Sequence, residues 1–361
     1  MDKVDLRAFY KDKKVLVTGH TGFKGSWLSW LLLELGAKVV GYSKAPIDYR
    51  GNHFNLTNLS NEMASYEGNT LDFVKLEEVI KLEKPEIILH LAAQPIVNVS
   101  YEDPVETFQS NAIGTINVLE IMRKTDFVKT GVFITSDKCY ENQEWLWPYR
   151  EDETLGGHDP YSASKAMAEI AISAYYRSYF QKRGIGISST RAGNVIGGGD
   201  FAKDRIVPDI VQAIAEKRPV ILRNPQAVRP WQHVLDVARG YLSLGMHCHL
   251  DSERHSTPYN LAPQGVLNKH NVLYITKKFI EVVGRGEFQI DQASGRFHEA
   301  NLLRLDPSKA MEHLGWTPTF TPDETVAFTA VWYGEFLNSD QGIRNTTLRQ
   351  IQEYLKLSAE S

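Results

Sequence analysis

Cysteine is nearly absent from this sequence. The 361-residue chain holds two, Cys139 and Cys248, so no disulfide framework is expected, and no CxxC or Cys/His pattern offers a metal site. A surplus of one charge is missing too. Forty Lys and Arg stand against 44 Asp and Glu, a net charge of −4, which argues against an electrostatic nucleic-acid binder. Local basic groups can still hold a small phosphorylated ligand. No apolar run approaches the ~20 residues of a membrane span. The first residues, MDKVDLRAFYKDKK, lack the apolar block of a secretory signal. The expected compartment is the cytoplasm. Repeats and low-complexity tracts are also lacking.

What is present is the composition of a soluble globular protein, 42% hydrophobic and 23% charged. The length exceeds one ordinary core and predicts two lobes. Val15-Leu16-Val17 reads as a buried parallel strand. A Trp- and Leu-rich helix follows over Ser26–Leu35, stopped by Gly36. Further strands are expected at Lys38–Tyr42, Ile87–Leu91, Gly131–Thr135 and Gly186–Thr190, with helices at Leu71–Leu82, Pro104–Lys124 and Tyr161–Lys182. Alternating strands and helices predict an α/β fold with a doubly wound parallel sheet of Rossmann type over residues 1–190. After Arg191 the loops lengthen. Residues 191–361 read mainly as a smaller substrate-binding lobe, with helical stretches at Ile206–Glu216 and Tyr274–Val283 and a return to the sheet near 228–250. The polar end, with a helix at Leu348–Leu357, reads as peripheral.

Between the first strand and the first helix lies Thr18-Gly19-His20-Thr21-Gly22-Phe23-Lys24-Gly25. Its G-x-x-G-x-x-G spacing suits a dinucleotide. Glycine permits the tight turn and lets a pyrophosphate approach, and the amides at the helix start face the anion. His20 stands where a small residue would crowd a cofactor less. The second strand ends Gly41-Tyr42-Ser43-Lys44 with no acid for an adenosine ribose, so NAD and NADP both stay open. Lys44 is either a 2′-phosphate contact or a solvated lysine.

Tyr161 and Lys165 are four residues apart on a helix and share a face. An ammonium beside a phenol is expected to lower the tyrosine pKa. Such a tyrosine can take a proton from a sugar hydroxyl while hydride leaves the same carbon.

Together these features resemble the extended short-chain dehydrogenase/reductase family over nearly the whole chain. The resemblance includes the glycine loop, His90-Leu91-Ala92-Ala93-Gln94 after a strand, Asn111 in the next helix, and Tyr161 with Lys165. It implies cofactor contacts from Gly19, His20, Gly22, Phe23, Gly25, Ser43, Asn69, Leu71, Leu91, Ala92, Ala93, Asn111, Tyr161 and Lys165. It further implies a C-terminal lobe that holds a nucleotide sugar, and a homodimer, or a tetramer, built through the two long helices.

The segment Phe133-Ile134-Thr135-Ser136-Asp137-Lys138-Cys139-Tyr140 resembles the active-site signature of nucleotide-sugar 4,6-dehydratases. On that match Ser136 is the hydroxyl partner, Asp137 the acid and Lys138 the base. Commoner members carry glutamate where Lys138 stands. The lysine, with the run from Arg191 to Asp209, implies CDP-glucose as substrate and NAD as cofactor. The implied product, a 4-keto-6-deoxy sugar, feeds deoxysugar synthesis for bacterial surface polysaccharide of the O-antigen type. Asp137 then needs a raised pKa and Lys138 a lowered one; alternatively Lys138 stays charged and stabilises an enolate. Gln94, Asn194, Arg205, Arg229 and Arg296 are the implied substrate contacts, with His298 beside the last. An amide can donate to phosphate, and a guanidinium fork holds two oxygens. Two other readings stand beside this one: a nucleotide-sugar 4-epimerase, and a catalytically silent NAD(P)-sensing protein.

Overall fold

Short apolar runs bounded by glycine and charge become the central strands of one parallel sheet. The computed structural model describes residues 5–47, 51–263, 270–291 and 303–360. Seven strands form the sheet: β1 (Lys14–Thr18), β2 (Lys38–Ser43), β3 (Ala64–Glu67), β4 (Ile87–His90), β5 (Thr130–Ile134), β6 (Gly186–Ala192) and β7 (Tyr259–Leu261). Their spatial order is β7-β6-β5-β4-β1-β2-β3. Leu16 of β1 lies between Val40 of β2 and Ile88 of β4. The order therefore reverses at β1, and the carboxyl ends of β1 and β4 flank the switch point where such sheets bind ligands.

Both faces of the sheet are covered, so its strands are apolar at successive positions rather than alternate ones. Val15, Val17, Leu89 and Val132 enter one core, and Leu16, Ile88, Phe133 and Ile187 the other. Helix α1 (Phe23–Glu34) covers the first face and is buried along most of its length. Its indoles find acceptors, Trp27 on the Gly198 carbonyl at 2.7 Å and Trp30 on Thr57 at 2.9 Å, as buried Trp requires.

Helix α2 (Phe73–Glu83) lies on the second face. There the expected helix 104–124 forms with an interruption: Pro104–Phe108 and Gly114–Arg123 are α-helical, and Gln109–Ile113 is a π turn. This is α3, and Asn111 sits in its widened turn. Helix α4 (Pro160–Tyr175) follows and continues through a π turn, Tyr176–Phe180. It is capped at its start by Asp159, which accepts from the Ser162 amide and hydroxyl.

The rest of the chain adds α5 (Ile206–Ala215), α6 (Val234–Leu250), α7 (Val272–Val283), α8 (Pro322–Asn338) and α9 (Ile343–Glu360). Helix α6 packs on β5, β6 and α1. A two-stranded pair, Val195–Ile196 with Gln232–His233, brings the chain after β6 beside the chain before α6. The C-terminal helix differs from the peripheral element expected at Leu348–Leu357. It starts earlier, and Ile343, Ile351 and Tyr354 are buried. His53 explains the inward packing. Its ring stacks on Trp27 at 4.7 Å and bonds Ser26 at 2.7 Å and Thr347 of α9 at 3.2 Å.

Candidate active site

The glycine loop turns at the carboxyl end of β1. Gly19 has φ +75°, and a Cβ there would stand 2.8 Å from the Ala92 amide nitrogen. A Cβ on Gly25 would fall on the Gly19 carbonyl oxygen. These positions admit only glycine, and they bring α1 close against the strand ends. Gly22 is the cap residue of α1 and makes no side-chain cap bond, which leaves the helix's first amides to an anion. That is the cradle a dinucleotide pyrophosphate fits.

His20 does not crowd the loop. Its ring is fully buried beneath Gly41, edge-on to Phe54 at 5.2 Å and bonded to Ser65 at 2.7 Å. Burial pushes the imidazole down to about 4, although a bond with the Tyr42 backbone raises it. Ser43 bonds Thr21 of the loop at 2.8 Å. Asn69 caps the turn after β3 by accepting from the Leu71 amide at 3.1 Å. Lys44, weighed above as a phosphate contact, is engaged by Glu106 at 2.8 Å.

The other side of the switch point is tied to the loop through Thr18. Its hydroxyl accepts from the Leu91 and Ala92 amides at 3.2 Å each, so its own proton goes to His90 Nδ1 at 2.8 Å. His90 Nε2 then donates to Thr115, whose hydroxyl donates to the Asn111 carbonyl. That fixes one neutral tautomer, and burial, with the Lys165 charge second, holds the ring down at about 3. The Asn111 side chain accepts from the Gln94 amide at 2.8 Å and donates to the Gln94 carbonyl and to Ser164 of α4. The Gln94 side-chain amide donates to Thr107 of α3 at 2.9 Å and its oxygen accepts from the Ile96 amide, so its polar atoms tie its loop to α3.

Ser136, Asp137, Tyr161 and Lys165 come together, all buried. Ser136 caps a short 3-10 turn, Asp137–Cys139, and accepts from the Lys138 amide at 3.2 Å while donating to Asp137 at 2.9 Å. Lys138 is half-buried on that turn. Burial raises the Asp137 carboxyl above its ordinary range against the pull of Lys138 and the Ser136 bond, the direction an acid at neutral pH needs.

Tyr161 departs from expectation. Burial pushes its phenol up to about 12; the Ser136 bond and Arg205 act downward and Asp137 upward. Desolvation of a phenolate outweighs the neighbouring donors. Lys165 is engaged elsewhere: its ammonium donates to the Ile134 carbonyl at 3.2 Å. Burial and Lys24 together bring it down to about 7.

The segment after β6 approaches the same turn. A Cβ on Gly193 would lie 2.7 Å from Pro230 and 3.1 Å from an Asp137 carboxylate oxygen. Asn194, exposed, and Arg229, half-buried, flank that contact. Arg205 is paired with buried Asp200 at 2.8 Å. Arg296 and His298 lie outside the described residues.

Two charges that the sequence reading left unassigned join this cluster. Lys24, in the first turn of α1, is pushed down to about 8 by burial and Arg205, while Asp137 and Asp200 act upward. Lys24 was visible as the one cation inside the glycine motif. Asp200 carried no such mark.

A glycine turn at the switch point of a parallel sheet, with a Tyr-x-x-x-Lys helix beside it, marks the extended short-chain dehydrogenase/reductase class. Within it the chain belongs to the family described as GDP-mannose 4,6 dehydratase, whose model matches residues 16–329. It is 42% identical over 353 residues to the CDP-glucose 4,6-dehydratase of Salmonella typhimurium, covering 96% of this chain and 97% of that one. The structure of dTDP-glucose 4,6-dehydratase from Bacillus anthracis in complex with NAD superimposes with a TM-score of 0.73 at 24% identity, over 90% of this chain and 97% of that one. The UDP-glucose 4-epimerase of Thermus thermophilus, also in complex with NAD, gives 0.72 at 26% identity, over 89% and 98%.

Proposed function

We propose that the chain converts CDP-glucose to CDP-4-dehydro-6-deoxyglucose and water. The observation that carries this reading is Asp137: a buried carboxyl held above its ordinary range on the turn beside Tyr161. An epimerase has no leaving group to protonate and no use for such an acid. The 42% identity to a CDP-glucose 4,6-dehydratase supports the choice of sugar nucleotide.

The chemistry assigns one task to each residue. Tyr161 takes the proton of the C4 hydroxyl, with Ser136 holding that oxygen. A bound nicotinamide supplies the acceptor for the C4 hydride and its return to C6. Lys138 takes the C5 proton, made acidic by the C4 ketone, and gives a proton back to C5 as hydride reaches C6. Asp137 gives its proton to the departing C6 hydroxyl, which leaves as water. Substrate and product differ by water alone, with no net redox change.

Gly19, Gly22 and Gly25 form the pyrophosphate cradle, with Phe23, Ser43, Asn69, Leu71, Leu91, Ala92, Ala93 and Asn111 around it. Structural relatives carry NAD, and Glu106 on Lys44 favours NAD over a cofactor with a 2′-phosphate. Asn194, Arg205 and Arg229 face the diphosphate. Residues 1–190, with the return near 228–250, form the cofactor domain, and the remainder forms the substrate lobe.

The outer faces of α3 and α4 carry exposed Val105, Ile113, Met167 and Ile170, an apolar stripe suited to a second copy of the chain. No helix among the described residues is long and apolar enough to cross a membrane, which is consistent with action in the cytoplasm. Incubation with CDP-glucose tests the function. A 4-keto-6-deoxy product, absorbing in base, is expected. A 4-epimer or unchanged substrate would overturn the reading.

A further inference from the structure

The catalytic turn is anchored from behind by charges that the reaction itself does not need. Glu169 lies one turn beyond Lys165 on α4 and is buried. Its carboxylate accepts from Thr135, from Ser189 at 2.8 Å and from Arg191 at 2.8 Å. Arg191 is the penultimate residue of β6, and the ion pair is 3% exposed on both sides. The same guanidinium donates to the Tyr140 hydroxyl at 2.8 Å and the Glu151 carbonyl at 3.1 Å, and it lies over the Tyr140 ring at 4.8 Å. Tyr140 in turn donates to Asn260 of β7 at 2.7 Å and stacks on Tyr149 at 5.2 Å.

Thr135 and Tyr140 are the residues on either side of the turn that carries Ser136, Asp137 and Lys138. Each is gripped by one member of the Glu169–Arg191 pair. Glu169 belongs to the helix that carries Tyr161 and Lys165. The pair therefore fixes the distance between the two halves of the site. A buried ion pair is a poor stabiliser compared with apolar packing of equal volume, so its value here lies in geometry. We infer that Glu169, Arg191 and Tyr140 are positioning residues that hold the acid/base turn in register with the Tyr161 helix, and that the elimination depends on them more than the oxidation at C4.

The difference follows from how many groups each step uses. Oxidation at C4 needs Tyr161 with Ser136. Oxidation thus draws one group, Ser136, from the turn that the pair clamps, whereas elimination draws two, Asp137 and Lys138, which must be placed at C6 and C5 at once. The inference rests on the dehydratase reading above. Wild-type protein that yields no 4-keto-6-deoxy product defeats that reading, whereas active wild type with an unaltered variant defeats only this one.

Tyr140→Phe is the mild test, because it keeps the ring and its stacking and loses two hydrogen bonds. In the full chain with cofactor bound, kcat is expected to fall by about 10-fold, with KM for CDP-glucose unchanged. Reduced nicotinamide should accumulate in the steady state, because elimination lags behind C4 oxidation. Glu169→Gln should behave alike and more severely. Arg191→Lys should not restore the step ratio, since one ammonium cannot serve Glu169 and Tyr140 as a planar fork does. A lowered melting temperature with kcat and the reduced-cofactor signal unchanged would make the network merely structural. So would equal slowing of both steps. If Glu169→Gln does not fold, Tyr140→Phe decides alone.

Discussion

The Lys165 ammonium donates to the carbonyl of Ile134, 3.2 Å away, and so binds α4 to the last residue of β5. Two residues later the chain reaches Ser136. The lysine thus shares its reach between the phenol's helix and the strand that presents the acid. Its proximity to Tyr161 in sequence does not make it the dominant influence on that phenol, which burial pushes up to about 12. A phenol so held needs hydrogen-bond donors or cations close by to ionise. Arg205, already acting downward on the phenol, stands among them.

Asp137→Asn separates the chemical steps. The amide cannot give a proton to the C6 hydroxyl, so dehydration should fall by about 10²–10⁴-fold, while C4 oxidation and exchange of the C5 proton with deuterated water continue. Lys138→Ala should do the converse and stop exchange at C5. NMR of the recovered CDP-sugar reads both. Full C5 exchange in Lys138→Ala would remove that residue from the base role and leave it as a charge on the enolate.

Glu106→Gln tests the cofactor preference. Glu106 accepts from Lys44 at 2.8 Å and from Ser110 at 2.8 Å. The Lys44–Glu106 pair is partly exposed, where such bridges are worth up to about 1 kcal/mol. Freeing Lys44 should therefore shift the NADP-to-NAD affinity ratio toward NADP by about 2- to 5-fold, less at high salt. An unaltered ratio would place the adenosine ribose away from Lys44.

The parts of this molecule legible in its sequence are those set by local pattern. Val15-Leu16-Val17 had to be a strand buried on both faces, and Tyr161 with Lys165 had to share a helical face. β3 was missed because Ala64-Ser65-Tyr66-Glu67 is a largely exposed edge strand with no apolar run. The early start and the burial of the C-terminal helix were missed because its polar residues hide the row Ile343, Ile351 and Tyr354. The acidity of Tyr161 came out opposite to expectation, since spacing shows the neighbouring charge but not the lost water. Glu169 stands in helical register with Lys165, yet nothing local says that its partner is Arg191, on another strand.

Ile170→Glu tests the apolar stripe on α4. Ile170 is 59% exposed and Met167 46%, so a single charge should not disturb the monomer's fold. Placed in an interface with no partner, that charge leaves a buried ion uncompensated, which costs several kcal/mol. If this stripe is the interface proposed above, the wild type elutes and scatters as a dimer and the variant as a monomer at the same concentration. A dimer that persists would move the interface off this face.

His53→Gln should change how stability depends on pH. The His53 ring, between Ser26 and Thr347, is buried, and burial pushes it down to about 3. In the unfolded chain it titrates near the ordinary ~6.5. A group with its folded pKa below its unfolded one binds protons more readily when unfolded. Stability is then fully present above about pH 6.5 and is lost as pH falls toward the folded value. Between pH 7 and pH 5 this one ring accounts for about 2 kcal/mol. At pH 8 the variant should be the less stable protein, by about 1–3 kcal/mol, having lost the stacked ring and two hydrogen bonds. From pH 7 to pH 5 it should lose about 2 kcal/mol less than the wild type, because glutamine does not titrate. The other buried imidazoles, among them His20, His90 and His233, and the raised carboxyls of Asp137, Asp209 and Asp236 act alike in both proteins and cancel in the difference. Urea unfolding at several pH values measures it. Parallel stability curves would mean that His53 titrates equally in the folded and unfolded chain, and that the bridge from α1 to the C-terminal helix tolerates a charge.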